Sequence, residues 1–205
     1  MKTGARGDSQ SPSVLIEERD ALAVIRFNRP AQRNSLSVAT LDEMEHAFAH
    51  LTQNERIKTI IFTGTGDVFA SGADIRELCA LTPDAAREFA ARGQRFFQLI
   101  ADARPLTIAA VNGYCMGGGL DLALACRVRV ASTRAVFAHP GARLGIITGW
   151  GGTQRLPRLV GTARALEMFS TARRVNADEA FEIGLVTRLH TDALACALDI
   201  AAWSS

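Results

Sequence analysis

Apolar positions fall into short runs whose spacing alternates between two and about 3.6, the mark of strands and helices in alternation. Residues 14–17 and 21–27 flank the polar corner Glu18-Arg19-Asp20 and predict a hairpin. The second arm is apolar on both faces, Leu22 and Val24 on one and Ala23, Ile25 and Phe27 on the other, which predicts burial on both sides. Ser37 is placed to cap a helix carrying Leu41, Met44, Phe48 and Leu51 on one face, and residues 58–63 read as a short β-branched strand. Residues 74–81 predict a short helix. Thr82-Pro83 opens a longer one through Asp102, the Thr as cap and the Pro at the first helical position.

Residues 106–111 are apolar except for Thr107 and predict a strand buried on both faces that runs into a glycine cluster. A buried helix is expected over 121–126, strands over 127–131 and 135–137, and helices over 151–160, 162–172 and 176–183. Asn176 and Glu179 form the capping pair of the last of these and Gly184 its stop. A strand over 185–189 and a helix over 192–203 complete the chain.

Composition narrows the class. With 205 residues, 48% of them hydrophobic, the chain has material for one sizeable core. Its 23 Lys and Arg against 21 Asp and Glu leave a net charge of +2, which gives no argument for nucleic acid or an anionic membrane as partner. Cys79, Cys115, Cys126 and Cys196 show no paired spacing and read as reduced thiols of a cytoplasmic protein. Residues 1–13 are polar, lack the apolar stretch of a secretion signal, and are expected to be a disordered leader. No run is long and apolar enough to span a membrane.

The central chemical feature is the run from Val111 to Asp121, in which a buried strand passes through Gly113, Gly117, Gly118 and Gly119 into a helix. Bare N–H groups at a helix start favour a negatively charged atom. Phosphate binding is one use, although neither a dinucleotide fingerprint nor a P-loop is present. Close helix-to-strand packing is another. A second loop, residues 69–75, also leaves a strand region for a helix through small residues. One N–H from each loop would make a paired donor site for an oxyanion.

Read as motifs, FNRPAQRNSLS, FASGADI, AAVNGYCMGGGLDLALAC, FAHPGARLGI and GWGGTQRLPRLVG resemble, in order and spacing, the crotonase superfamily, the enoyl-CoA hydratase/isomerase family. The resemblance runs from about residue 14 to the C-terminus. It implies an α/β fold, a spiral of ββα units with a mixed sheet core wrapped by helices, associating as homotrimers or hexamers. It also implies an acyl-CoA substrate of fatty acid metabolism, with coenzyme A entering as part of the substrate and no separate cofactor. Carried over by position, the oxyanion hole is Ala73 and Gly118. Gln32, Arg33, Ser35, Ser71, Asp74 and Ile75 line the coenzyme A side, with Arg29, Arg33 and Arg76 as cations near its phosphates. Tyr114, Met116, Pro140, Gly141, Leu144 and Gly149 face the acyl portion.

Hydratases of this family add water with two glutamates. Asp121 stands at the first position, where a carboxylate in the first helical turn is expected to keep its charge and act as base. Gly141 stands at the second and supplies no proton carrier. A Gly141→Glu substitution is therefore expected to raise hydration. With Gly141 unable to serve, water, His139 or Asp121 alone would have to; His139, two residues earlier and followed by Pro140, reads more readily as a structural hydrogen-bonding residue than as a direct participant. His46, His50 and His190 fall on helix or strand surfaces, and no grouping has metal-ligand spacing. Family members also continue for several tens of residues past the equivalent of Ser205, in helices that cover the acyl site, so apolar surface near residues 189–203 is expected to be exposed. The implied activity is hydration or double-bond isomerisation of an enoyl-CoA, with an acyl-CoA-binding subunit impaired in catalysis as the alternative.

Overall fold

The computed structural model describes residues 12–203. Of the leader expected over residues 1–13, residues 1–11 lie outside the described residues, while Ser13 is buried and its carbonyl accepts from the Asn28 N–H at 2.8 Å. The hairpin forms as β1 (Val14–Arg19) and β2 (Leu22–Phe27), antiparallel with Arg19 opposite Leu22. Its corner is the two residues Asp20 and Ala21, with Asp20 in the left-handed region at φ 50, tighter than the polar run suggested. Helix α1 (Val38–Gln53) starts on the Ser37 side chain, which accepts from Thr40 N–H at 3.2 Å, and buries Leu41, Met44, Phe48 and Leu51.

Three repeats of one plan follow. β3 (Thr59–Gly64) turns through residues 65–67 into β4 (Val68–Ala70), and then come α2 (Ile75–Cys79) and α3 (Pro83–Asp102). β5 (Leu106–Val111) turns through residues 112–113 into β6 (Tyr114–Met116) and α4 (Gly118–Ala125). β7 (Val128–Ser132) turns through residues 133–135 into β8 (Val136–Ala138), followed by a 3-10 turn at Pro140–Leu144, α5 (Gly152–Val160) and α6 (Thr162–Thr171). The chain closes with β9 (Val175–Asn176), α7 (Ala177–Glu182), β10 (Arg188–His190) and α8 (Ala193–Trp203).

Each repeat places its first strand in a six-stranded sheet of order β1-β2-β3-β5-β7-β10 and its second in a four-stranded sheet of order β4-β6-β8-β9. The first sheet is parallel apart from β1, and the second is parallel apart from β9. This is the spiral of ββα units wrapped by helices that the resemblance implies. The smaller sheet is largely absent from the sequence reading, because strands of two or three residues carry no period to detect. Asn112 ties two of the corners together: its side-chain oxygen accepts from Gly64 N–H at 3.0 Å and its amide donates to the Gly66 carbonyl at 2.9 Å. A Cβ at Gly113 would run into the main chain of Asp67. The loops that leave β4 and β6 are thereby held side by side.

The main core lies between the two sheets and α1, α3 and α4, filled by Phe27, Phe62, Phe69, Phe97 and Phe137, all fully buried. Each such side chain contributes about 1.5–3 kcal/mol by leaving water. On the other face of the larger sheet, Ala193, Cys196, Ala197 and Ala201 of α8 cover Val24, Ile61, Ile108, Ala110 and Val130. The expected exposure near the end of the chain is confined to one side of α8, where Trp203 is 92% exposed.

Candidate active site

The two small-residue loops meet. Leu36 N–H donates to the Gly72 carbonyl at 2.8 Å and Ser71 N–H to the Arg33 carbonyl at 3.2 Å, which pins the first loop against residues 33–36. Asn34 secures those residues in turn: buried, it accepts from Arg29 N–H and donates to the carbonyls of Thr65 and Val68. Gly72 has φ +94, and a Cβ there would stand 2.9 Å from Gly118 N, so only glycine lets the loops approach this closely. Gly117, at φ 51, makes the turn into α4. Gly118 is the first residue of that helix, where the backbone N–H has no partner within the helix.

A Cβ built on Gly118 would lie 3.5 Å from Ala73 N. With about 2.5 Å between a residue's N and its Cβ, the two nitrogens are no more than about 6 Å apart, the outer limit at which one oxygen can lie within about 3 Å of both. Neither N–H has a hydrogen-bond partner among the described residues, and both residues line one cavity of about 260 Å³.

The remaining wall is mostly apolar, with Leu78, Leu81, Phe89, Ile146, Ile147 and Phe169 among its residues. Of the residues expected to touch substrate, Ser71, Ile75, Pro140, Gly141, Leu144 and Gly149 are on this wall. Tyr114 and Met116 are not. They alternate with buried Cys115 along β6 and point to its other face, and the Arg33 guanidinium sits 5.3 Å above the Tyr114 ring. Gln32, Arg33 and Ser35 lie outside the cavity, joined to its rim through the Ser71–Arg33 hydrogen bond. Asp74 is also off the wall. Its carboxylate caps α2 and pairs with Arg76 at 2.7 Å, which holds its carboxyl below the usual range. Arg29 donates to Ser13 Oγ at 2.9 Å.

Asp121 comes from the first turns of α4 and is fully buried, behind the cavity wall rather than on it. Its Oδ2 accepts from Thr148 Oγ1–H and, at 3.2 Å, from Trp150 N–H. Burial nevertheless dominates and raises its pKa from 3.8 to about 6, against these hydrogen bonds and the charge of Arg155. That corrects the expectation of a readily kept charge: the helix start favours the anion by less than loss of water disfavours it. Among the described residues Asp121 Oδ1 has no hydrogen-bond partner, although the Gly152 N–H close to the carboxyl helps to hold its pKa down, and Oδ1 stands 3.6 Å from His139 Nε2.

His139 departs from the structural hydrogen-bonding role expected of it. It is 2% exposed, lines the cavity, packs its ring 4.9 Å from that of Phe169, and has neither nitrogen hydrogen-bonded among the described residues. Burial lowers its pKa from 6.5 to about 4, so the imidazole is neutral at pH 7.

Gly141 leaves no room for a side chain without a shift of the main chain. A Cβ there would meet the Ile146 carbonyl oxygen at 2.5 Å, within a turn that Ile146 N–H closes by donating to the Gly141 carbonyl at 3.0 Å. A Gly141→Glu substitution would therefore have to displace this turn.

Sequence reasoning missed Trp150 and Thr148. The Trp150 ring fills the space where side chains at Gly93 and Gly118 would be, packs on Phe89 and Phe97, and donates from Nε1 to the Phe89 carbonyl at 3.3 Å. Its sequence signal is its place in the motif GWGGTQRLPRLVG, which assigns the ring no role.

Comparison with known proteins identifies the family and the fold. The family profile described as Enoyl-CoA hydratase/isomerase matches residues 17–197. A protein described as crotonyl-CoA hydratase from Syntrophomonas wolfei is 44% identical over 178 residues, 86% of this chain and 68% of its own length. The solved structure of Pseudomonas aeruginosa DspI superposes with a TM-score of 0.89 at 35% identity, covering 97% of this chain and 78% of that one. An enoyl-CoA hydratase structure from Bacillus anthracis gives 0.88 at 34% identity, covering 93% and 75%. With profile, sequence and fold in agreement, the chain belongs to the enoyl-CoA hydratase/isomerase family.

Proposed function

We propose that the protein is an enzyme acting on an unsaturated acyl-CoA, holding the thioester oxygen between the N–H groups of Ala73 and Gly118 and moving a proton through the enolate that results. The observation that carries this reading is the pair of unpartnered N–H groups converging on one apolar cavity. Removing a proton beside a thioester carbonyl places negative charge on its oxygen. Two preorganised donors meet that charge, each contributing on the order of 2.7–4 kcal/mol to the transition state.

Asp121 is the anionic group of the site. Hydration and double-bond isomerisation both pass through this enolate, but isomerisation needs a single proton carrier, and Gly141 supplies no second one. Ser71 and Ile75, with Gln32, Arg33, Ser35 and Asp74 beyond the rim, take the coenzyme A side, while Pro140, Leu144 and Gly149 take the acyl side. The relatives described as enoyl-CoA and crotonyl-CoA hydratases support the substrate class. A cytoplasmic setting in fatty acid metabolism, and assembly as homotrimers or pairs of trimers, belong to the same reading. Four free thiols and the exposed Leu99, Leu166 and Phe181 are consistent with it.

The test is calorimetric titration with butyryl-CoA beside two absorbance assays. One follows loss of the conjugated thioester of crotonyl-CoA, the other its appearance from a β,γ-enoyl-CoA. Binding with turnover in at least one assay is expected. Absence of binding, or binding with turnover in neither, overturns the proposal.

A further inference from the structure

We propose that the group exchanging the proton with substrate is the imidazole of His139, with Asp121 behind it as a positioning residue, and that the reaction this serves is a 1,3-proton shift in a β,γ-unsaturated acyl thioester. This rests on the thioester reading above.

Three observations carry it. First, the Asp121 carboxylate is sealed from the cavity: Thr148 and Trp150 occupy Oδ2, and Gly152 is pressed so close to Oδ1 that a Cβ there would collide with it. Second, His139 is on the cavity wall and beside the donors, since Gly117 N–H donates to the carbonyl of the preceding Ala138 at 2.9 Å. Third, Asp121 Oδ1 and both His139 nitrogens are buried side-chain atoms without a hydrogen-bond partner among the described residues. Buried polar atoms are rarely left so; Oδ1 and Nε2 face each other, which leaves Nδ1 as the atom whose partner must come from outside the chain. Nε2 faces Asp121 at 3.6 Å, a gap that a shift of a few tenths of an ångström closes to a hydrogen bond. That contact selects the tautomer with the proton on Nε2 and leaves the Nδ1 lone pair for the substrate.

The step balances within the site. Nδ1 takes the α-proton: the Cα–H bond breaks, an N–H bond forms, and the electron pair moves onto the thioester oxygen, held by Ala73 and Gly118. The imidazolium is stabilised by the Asp121 anion. The same N–H then protonates the γ-carbon of the dienolate, the carbonyl re-forms and the double bond arrives in conjugation. No second reactant is consumed. The titratable and charged groups acting on Asp121 besides His139 are Arg155 of α5 and the buried Cys115 thiol of β6.

The experiment follows exchange of the α-protons of bound butyryl-CoA in D₂O, which reads enolate formation directly, with Kd measured in parallel. His139→Gln is expected to bind within about threefold of wild type and to lose exchange by about 10²–10⁴-fold. Asp121→Asn is expected to lose less and to move the acidic limb of the exchange–pH profile to lower pH, because the limb set by protonation of Asp121 at about 6 is removed and the one set by His139 at about 4 is left. A His139→Gln protein that exchanges at nearly the wild-type rate overturns the proposal and leaves the thioester reading standing, whereas absence of butyryl-CoA binding by wild type overturns both. Should His139→Gln fail to fold, ¹⁵N-histidine spectra of wild type decide: His139 ring signals must shift with butyryl-CoA while exposed His46, His50 and His190 do not, and an unmoved His139 overturns it.

Discussion

Asp121 and His139 share one apolar surrounding, and burial drives each toward its neutral form, the carboxyl from 3.8 to about 6 and the imidazole from 6.5 to about 4. Their effects on stability have opposite signs. Between pH 4 and 6 the folded protein keeps a proton on Asp121 that the unfolded chain has released, so this group's contribution declines as pH rises. Between pH 4 and 6.5 the unfolded chain holds a proton on His139 that the fold has expelled, so that contribution grows as pH rises. In the wild type the two largely offset. Asp121→Asn is therefore expected to gain on wild type by on the order of 3 kcal/mol as pH rises from 4 to 6, and His139→Gln to gain by a similar amount as pH falls from 6.5 to 4. Urea denaturation across this range checks both; difference curves of the same slope would show that burial does not govern the pair.

Around that pair the elements are set by where side chains are absent. The Trp150 ring lies against Gly93 of α3 and Gly118 of α4, and in both places a methyl group would overlap it. Gly93→Ala is expected to cost about 1–3 kcal/mol by overpacking. In a double-mutant cycle with Trp150→Leu most of that cost should vanish, as a coupling of about 1 kcal/mol or more; additive losses would mean that the ring is not the obstacle. This dependence also marks how far the sequence could be read. The caps at Ser37, Thr82 and Asn176 form as the sequence predicts, and β5 spans the predicted residues, because such features are local. Glu179 instead turns its carboxylate to Arg173 at 2.7 Å, leaving the predicted capping pair half made. Helix α4 starts three residues early, at Gly118, since packing against Trp150 and Ala70 offsets the low helix propensity of two glycines. The converging loops at Ala73 and Gly118 were legible as motifs. The placement of Asp121 behind the wall was not, because it depends on Trp150, 29 residues along the chain, and on how much water burial removes.

Seen as a whole, the molecule keeps its cavity between a rigid floor and a loose outer wall. The floor is the buried start of α4 and the β6–β8 pairing, whereas residues 142–147 are exposed, with Leu144, Ile146 and Ile147 showing 48%, 49% and 65% of their surface to solvent. A segment with so few buried contacts opens at low free energy, so its amides should exchange hydrogen quickly in the free protein while those of β5 and β7 exchange slowly. An acyl group in the cavity would cover the inner faces of Ile146 and Ile147. Butyryl-CoA at about one hundred times its Kd raises global stability by about 2.7 kcal/mol, which lowers exchange by global unfolding throughout the chain. Contact with the wall adds protection confined to residues 142–147, where exchange proceeds by local opening. Hydrogen-exchange mass spectrometry separates these effects: at least tenfold slowing in that segment, beyond any change in other rapidly exchanging loops, places the acyl chain against the outer wall. Slowing confined to the strands would place the ligand elsewhere.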